Sequence, residues 1–137
     1  LIDPGSFRVL VVDDDPSIRA IMRDLFTSEG YAVRTAGNGV EALAQVADWP
    51  PQVIFLDVQM PVMDGAQFAA AYRALPASPY PPARVIVVTA SNDLAGRCNR
   101  VRADGCVAKP FDLDELLDLV EAPYHAHAHV QANQLAG

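Results

Sequence analysis

Four stretches of this chain run into side chains that could bind or transfer phosphate. Arg8–Asp13 (RVLVVD) leads into Asp13, Asp14 and Asp15, and Gln52–Asp57 (QVIFLD) ends in Asp57. Arg84–Thr89 (RVIVVT) ends in Thr89, and Cys106–Ala108 (CVA) leads into Lys109-Pro110. Carboxylates gathered without a cation repel one another, which raises their pKa values and costs stability. A divalent ion removes that conflict. Oxygen-only ligands with few carboxylates favour Mg²⁺, which keeps waters and often binds phosphate as well. A carboxylate can also attack phosphorus and form an aspartyl phosphate. The transferring group spreads charge over its equatorial oxygens, so it needs Mg²⁺, an ammonium and a hydroxyl around it. Thr89 could supply the hydroxyl and Lys109 the ammonium. Of the ten basic residues nine are arginine, and the single lysine stands here. Taken singly, each residue has a bland reading: an Asp after a strand is often a turn or cap residue, and Asp15, directly before Pro16, is assigned to capping. The conjunction of all of them at strand ends carries the functional reading.

The elements that must position these groups follow from hydrophobic patterning. The three runs RVLVVD, QVIFLD and RVIVVT are apolar at consecutive positions and rich in Val and Ile, as in a parallel strand buried on both faces. Two weaker strands are expected at Tyr31–Thr35 and Cys106–Ala108. Helical spacing of three and four is expected over Pro16–Glu29 (Ile18, Ile21, Met22, Leu25), Gly39–Asp48 (Val40, Leu43, Val46) and Ala66–Leu75 (Phe68, Ala71, Tyr72, Leu75). It continues over Asn92–Ala103 (Leu94, Cys98, Val101) and Asp112–Glu121 (Leu113, Leu116, Leu117, Val120). Strand then helix, five times over, predicts an α/β doubly wound five-stranded parallel sheet with helices on both faces. The weak strands belong at the edges, which is the flavodoxin-like order 2-1-3-4-5, with the site at the strands' carboxyl ends. The proline-rich Pro76–Ala83 reads as a stiff connector at the opposite end.

Composition narrows the function. The 137 residues, 51% of them hydrophobic, suit one core-building domain. We expect residues 1–7 to be a disordered or cloning-derived start, 8–121 the domain and 122–137 a tail. The longest apolar runs are far short of the roughly 20 residues a membrane span needs, and the start lacks a secretory signal, so a cytoplasmic protein is expected. Two cysteines are too few for a disulfide framework. A net charge of −7 makes direct nucleic-acid binding an unsuitable role.

The stretches VLVVDDDPS, VIFLDVQMPVMDG, VIVVTAS and GCVAKPF resemble the bacterial two-component response-regulator receiver domain over nearly all of Arg8–Glu121. The resemblance implies that Asp57 is the phosphoacceptor. It implies that Asp13, Asp14 and Asp57 hold Mg²⁺, with the Gln59 backbone carbonyl completing the site. Thr89 and Lys109 would contact the phosphoryl oxygens, and the Lys109–Pro110 bond would be cis. Gln59 and Ser91 would tune hydrolysis of the acyl phosphate. A sensor histidine kinase or histidine phosphotransfer protein would supply the phosphoryl group from its phosphohistidine, and the signal would pass to a downstream protein or domain of unknown identity. The chain would be a phosphoacceptor switch and not an enzyme, with any autophosphorylation or autodephosphorylation confined to Asp57.

One position departs from the resemblance. Three residues before the lysine an aromatic ring is usual, whereas this chain has Cys106, read here as a small buried strand residue of opposite parity to Lys109; geometry alone can decide whether it pairs with Cys98. Arg97, Arg100 and Arg102 make the fourth helix basic, against an acidic fifth helix with Asp112, Asp114, Glu115, Asp118 and Glu121. These are either solvated faces or a docking or dimer surface through the fourth helix, fifth strand and fifth helix. His125, His127 and His129 are read as part of a plain tail. The alternative from another class is a phosphatase of the haloacid-dehalogenase type, since Asp13-Asp14-Asp15 holds a D-x-D spacing. It leaves the Asp57 segment unexplained and lacks room for a cap domain.

Overall fold

β-Branched residues dominate the strands because their stiff side chains pack well on a pleated surface. In the computed structural model, residues 7–90 and 92–121 are described. The strands are β1 (Arg8–Val12), β2 (Ala32–Ala36), β3 (Val53–Leu56), β4 (Arg84–Thr89) and β5 (Gly105–Ala108). They alternate with α1 (Pro16–Ser28), α2 (Gly39–Val46), α3 (Gly65–Arg73) and α4 (Leu94–Val101), and α5 follows at 113–121. The strands form one five-stranded sheet in the order β2-β1-β3-β4-β5, every pairing parallel. The expected architecture and order are those observed. Expectations about residues 1–6, Ser91 and 122–137, the three histidines included, lie outside the described residues; Phe7, expected within the unordered start, is instead buried in the core, its carbonyl accepting from the Ala32 amide at 2.9 Å.

The period of two along each strand divides the core between the sheet's faces. Leu10, Val12, Ile54, Leu56, Val85 and Val87 pack with Ala42 and Val46 of α2, Phe68 and Ala69 of α3 and Val101 of α4. Val9, Val11, Val53, Phe55, Ile86 and Val88 pack with Met22 and Phe26 of α1 and Leu116 and Val120 of α5. β3 is buried throughout, whereas β2 and β5 are only partly covered, as edge strands must be.

The helices differ from expectation in face and extent. Ile21, Val40, Leu75 and Leu113 are exposed. In α1 the buried pair is Met22 and Phe26, four apart and so one above the other, and Ile21 sits just off that stripe. Caps set the ends. Asp15 is the N-cap of α1, its side chain accepting from the Ser17 amide at 2.9 Å. Asp93 caps α4, so that helix starts at Leu94 and not at Asn92, and it stops where Arg102 turns left-handed at φ 57°.

Candidate functional site

The parallel ladder carries β1, β3, β4 and β5 to a common edge and holds the next residue of each in place. The Asp57 amide donates to the Val12 carbonyl at 2.9 Å, the Asp13 amide to the Ala36 carbonyl at 3.1 Å, and the Lys109 amide to the Thr89 carbonyl at 2.9 Å. Residues far apart in sequence therefore meet. Asp13 and Asp57 are only 2% and 5% exposed and Thr89 is fully buried, whereas Asp14 lies open to solvent.

Side-chain contacts orient this group. The Lys109 ammonium donates to Asp13 Oδ2 at 2.7 Å and to Asp57 Oδ2 at 3.4 Å. Asp57 Oδ1 accepts from the Gln59 amide at 3.0 Å, and Asp13 Oδ1 accepts from the Asp15 amide at 2.9 Å. One oxygen from each of Asp13, Asp14 and Asp57 lies within 4.8 Å of the others. Three carboxylates face one ammonium, so the cluster keeps an excess of negative charge.

The electrostatics follow. Burial pushes the Asp57 carboxyl above its ordinary range and the Asp13 charge adds to this, against the Gln59 amide and the Lys109 charge, which pull it down. Desolvation draws the Lys109 ammonium down, but the hydrogen bond and charge of Asp13, then those of Asp57, outweigh it and the net shift is upward. Lys109 is thus held charged, and Asp57 is a buried carboxyl short of positive charge.

The loop after β3 is held from the helix side. Asp64 and Gln67 form a reciprocal capping box at the start of α3, with bonds of 3.0 and 2.8 Å. Gly65, the first residue of α3, donates to the Val58 carbonyl at 3.2 Å. A Cβ there would lie 2.6 Å from Val58 Cα and 2.7 Å from the Asp57 carbonyl oxygen, so only glycine lets the helix start approach this backbone. The Lys109–Pro110 peptide bond is cis.

The structure thus brings together Asp13, Asp14, Asp57 and Lys109, with Thr89 at the neighbouring strand end. Gln59 takes part through its amide, on Asp57. Cys106 lies on the sheet face of α2, α3 and α4, away from Lys109 as parity requires. It is not simply a small buried residue, however: it is partly buried and joined to Cys98 of α4 as a disulfide. Two residues carry weight that the sequence reading left unassigned, and a third, Cys98, was placed there only as an apolar helix position and a possible partner of Cys106. Arg19 of α1 donates to the Asp13 carbonyl at 2.7 Å and braces that strand end. Gly65 permits the close approach; a glycine directly after the N-cap, where a better helix former is expected, was its available signal. Cys98 gave no signal beyond being the other cysteine.

The Pro76–Ala83 connector contributes to a groove at the other end of the strands, lined by Pro50, Pro51, Tyr72, Pro76, Tyr80 and Pro82 among others. No helix among the described residues is long and apolar enough to cross a membrane.

Comparison with known proteins agrees with this geometry. The family described as response regulator receiver domain matches residues 9–121. The sporulation initiation phosphotransferase F of Bacillus subtilis is 34% identical over 116 residues, which cover 83% of this chain and 90% of that protein. The transcriptional regulatory protein KdpE of Mycobacterium tuberculosis is 37% identical over 116 residues, but this chain spans only 49% of its length. Among solved structures, the chemotaxis response regulator CheY4 of Vibrio cholerae superposes with a TM-score of 0.74 at 35% identity, covering 84% of this chain and 96% of that one. The response regulator TrrA of Thermotoga maritima, solved in complex with Mg²⁺ and BeF, gives 0.72 at 34% identity over 84% of this chain and 96% of that one. None of these supports the phosphatase alternative.

Proposed function

Since this chain belongs to the response regulator receiver domain family, a phosphorylation-dependent switch and not an enzyme with turnover, we propose that Asp57 is its phosphoacceptor. The observation that carries this reading is the environment of the Asp57 carboxylate: buried, with one oxygen held by the Gln59 amide and the other facing Lys109 at 3.4 Å. That arrangement aims a lone pair along one direction and sets a positive charge where a phosphoryl oxygen would come to lie.

Asp13, Asp14 and Asp57 suit a divalent cation, because they are an oxygen-only donor set with more negative charge than Lys109 offsets. The Gln59 backbone carbonyl is the further ligand proposed. Mg²⁺ bound there would supply Lewis-acid neutralisation of the carboxylates and of the phosphoryl oxygens. The chain's own part is to place and to release. An Asp57 oxygen attacks the phosphorus of a phosphohistidine on a partner kinase or phosphotransfer protein. The P–O bond forms, the P–N bond breaks, and the leaving imidazole takes up a proton. Lys109 can then turn from Asp13 towards the new phosphoryl oxygens, as a point charge, and Thr89 offers its hydroxyl from the end of β4. Ser91 and the Gln59 side chain, two residues beyond Thr89 and Asp57, are proposed to set how readily water reaches the acyl phosphate. The cytoplasm is the proposed setting. The signal is proposed to leave through Arg97 and Arg100 on α4, Arg102 at its C-terminal cap and the acidic α5, towards a downstream protein or a second copy of this chain.

Intact mass tests the core of this. Incubation with Mg²⁺ and acetyl phosphate, or with a phosphorylated histidine phosphotransfer protein, should add one phosphoryl group to the chain and none to Asp57→Asn. Undiminished labelling of that variant would overturn the assignment.

A further inference from the structure

Among the described residues outside the proposed phosphoacceptor cluster, the tertiary structure brings together a pair of reactive side chains. Cys98 in the middle of α4 and Cys106 in β5 are joined, with their Cα atoms 6.1 Å apart, inside the range a disulfide requires. Both residues are partly buried rather than sealed in the core, so small thiol reagents have a path to them. We propose that this pair is a reversible redox site, cycling between dithiol and disulfide by exchange with a small-molecule disulfide such as oxidised glutathione, and that the disulfide form clamps α4 onto β5.

The chemistry balances within that exchange. One cysteine thiolate attacks a sulfur of the small disulfide; the S–S bond breaks, a mixed disulfide forms and one small thiolate leaves. The second cysteine thiolate attacks the protein sulfur of the mixed disulfide and releases the other small thiolate. Two protein thiols are oxidised to one disulfide, one small disulfide is reduced to two thiols, and the two protons pass from protein to small molecule. The dithiol state has a place to rest as well. Cys98 Sγ lies 3.8 Å from the Gly105 carbonyl oxygen, which can accept its S–H once the bond is open.

The position gives the bond a consequence. α4 buries one residue, Val101, whereas the helices on the opposite face each bury a larger pair. Ties at its ends include the Asp93 cap at the start and Arg73, which donates to the Val101 and Arg102 carbonyls. A covalent link at Cys98 adds a fixed point in the middle of a helix with a small buried face. The far end of the link is close to the site. Cys106 pairs with Val87 in the sheet, two residues before the pairing of Thr89 with Ala108, and α4 is reached directly from Thr89 by residues 90–93. On the reading that phosphorylation acts at Asp57, the clamp would hold the element that follows Thr89. Disulfides in the cytosol are mostly transient or redox-sensing, which fits a bond that opens and closes better than a permanent staple.

The test uses the full chain with no phosphoryl donor, so that its outcome is independent of the role of Asp57. The protein is equilibrated in glutathione buffers from fully reduced to oxidised, quenched with an alkylating reagent and weighed intact. Two alkylated thiols are expected in the reduced buffer and none in the oxidised one. Amide hydrogen exchange across α4 should be about tenfold slower in the oxidised form. Cys98→Ser and Cys106→Ser should each form no intramolecular bond and show the same α4 exchange in both buffers. A pair that stays oxidised in reduced buffer or never closes in oxidised buffer overturns the proposal, as does an α4 that exchanges alike in the two wild-type forms. Parallel acetyl phosphate labelling of the reduced protein reports separately on Asp57.

Discussion

Replacing Gly65 with alanine should damage both the fold and the proposed phosphoacceptor site, by an amount the structure allows to be worked out. The added Cβ would stand 2.6 Å from Val58 Cα and 2.7 Å from the Asp57 carbonyl oxygen. Carbon atoms rest comfortably at about 3.5–4.0 Å, so the start of α3 and the Asp57–Val58 backbone must separate by about 1 Å. Neither neighbour is the tip of a flexible side chain, so the backbone itself must give. Such overpacking costs about 1–3 kcal/mol, and the better helix propensity of alanine returns at most about 1 kcal/mol. Taking the middle of that cost against the full propensity gain, the expected net loss is about 1 kcal/mol, or a Tm lower by roughly 3–6 °C. The larger effect falls on Asp57, whose carbonyl is one of the two atoms pushed. A misplacement of about 1 Å can cost on the order of 100-fold in rate, so phosphorylation by acetyl phosphate with Mg²⁺, followed by intact mass well below Tm, should slow by 10- to 100-fold. A Gly65→Ala protein that labels at the wild-type rate would refute the argument that this close approach positions Asp57, whatever its Tm.

Lys109→Ala should leave Mg²⁺ affinity near wild type while phosphorylation falls at least about tenfold, because in the proposed site lysine would supply charge to the phosphoryl oxygens and would not be a metal ligand; a large loss of metal affinity in titration calorimetry would contradict that division. The same variant strips the buried Asp13 of its partner at 2.7 Å, so the metal-free fold should lose about 1–3 kcal/mol in urea denaturation. Asp57 carries a pH signature. Its folded-state pKa is raised, chiefly by burial, so the folded protein binds that proton more tightly than the unfolded chain, and the ionised carboxyl costs stability once pH exceeds the folded value. In EDTA, Asp57→Asn should therefore melt higher than wild type at pH 7, and the gap should close as pH falls through the folded value towards the ordinary carboxylate range; a gap that widens on acidification would reverse the sign. Asp15→Ala removes only the α1 cap, so about 1 kcal/mol of stability should be lost with acetyl phosphate labelling unchanged.

The sequence by itself determined the architecture and the list of groups at the site. Runs such as RVLVVD and RVIVVT read as doubly buried strands because burial on both faces is a local demand that every residue of the run must meet. The order of the sheet followed from which strands were weakest. Asp13, Asp57, Thr89 and Lys109 were legible because each directly follows or ends such a run, and a parallel sheet brings strand ends to one edge. What only the tertiary structure decided depends on how separate elements rotate and approach one another. Helical periodicity marks an apolar stripe but not its centre, so Phe26 and not Ile21 faces the sheet. The pairing of Lys109 most closely with Asp13, the brace from Arg19 and the tight seat of Gly65 against Val58 are distances between distant segments, set by register and packing. Cys98 and Cys106 show the limit most clearly. Eight residues apart and on different elements, they meet only because the turn after α4 lays that helix back along β5, and no local pattern in the chain records the angle at which it does so.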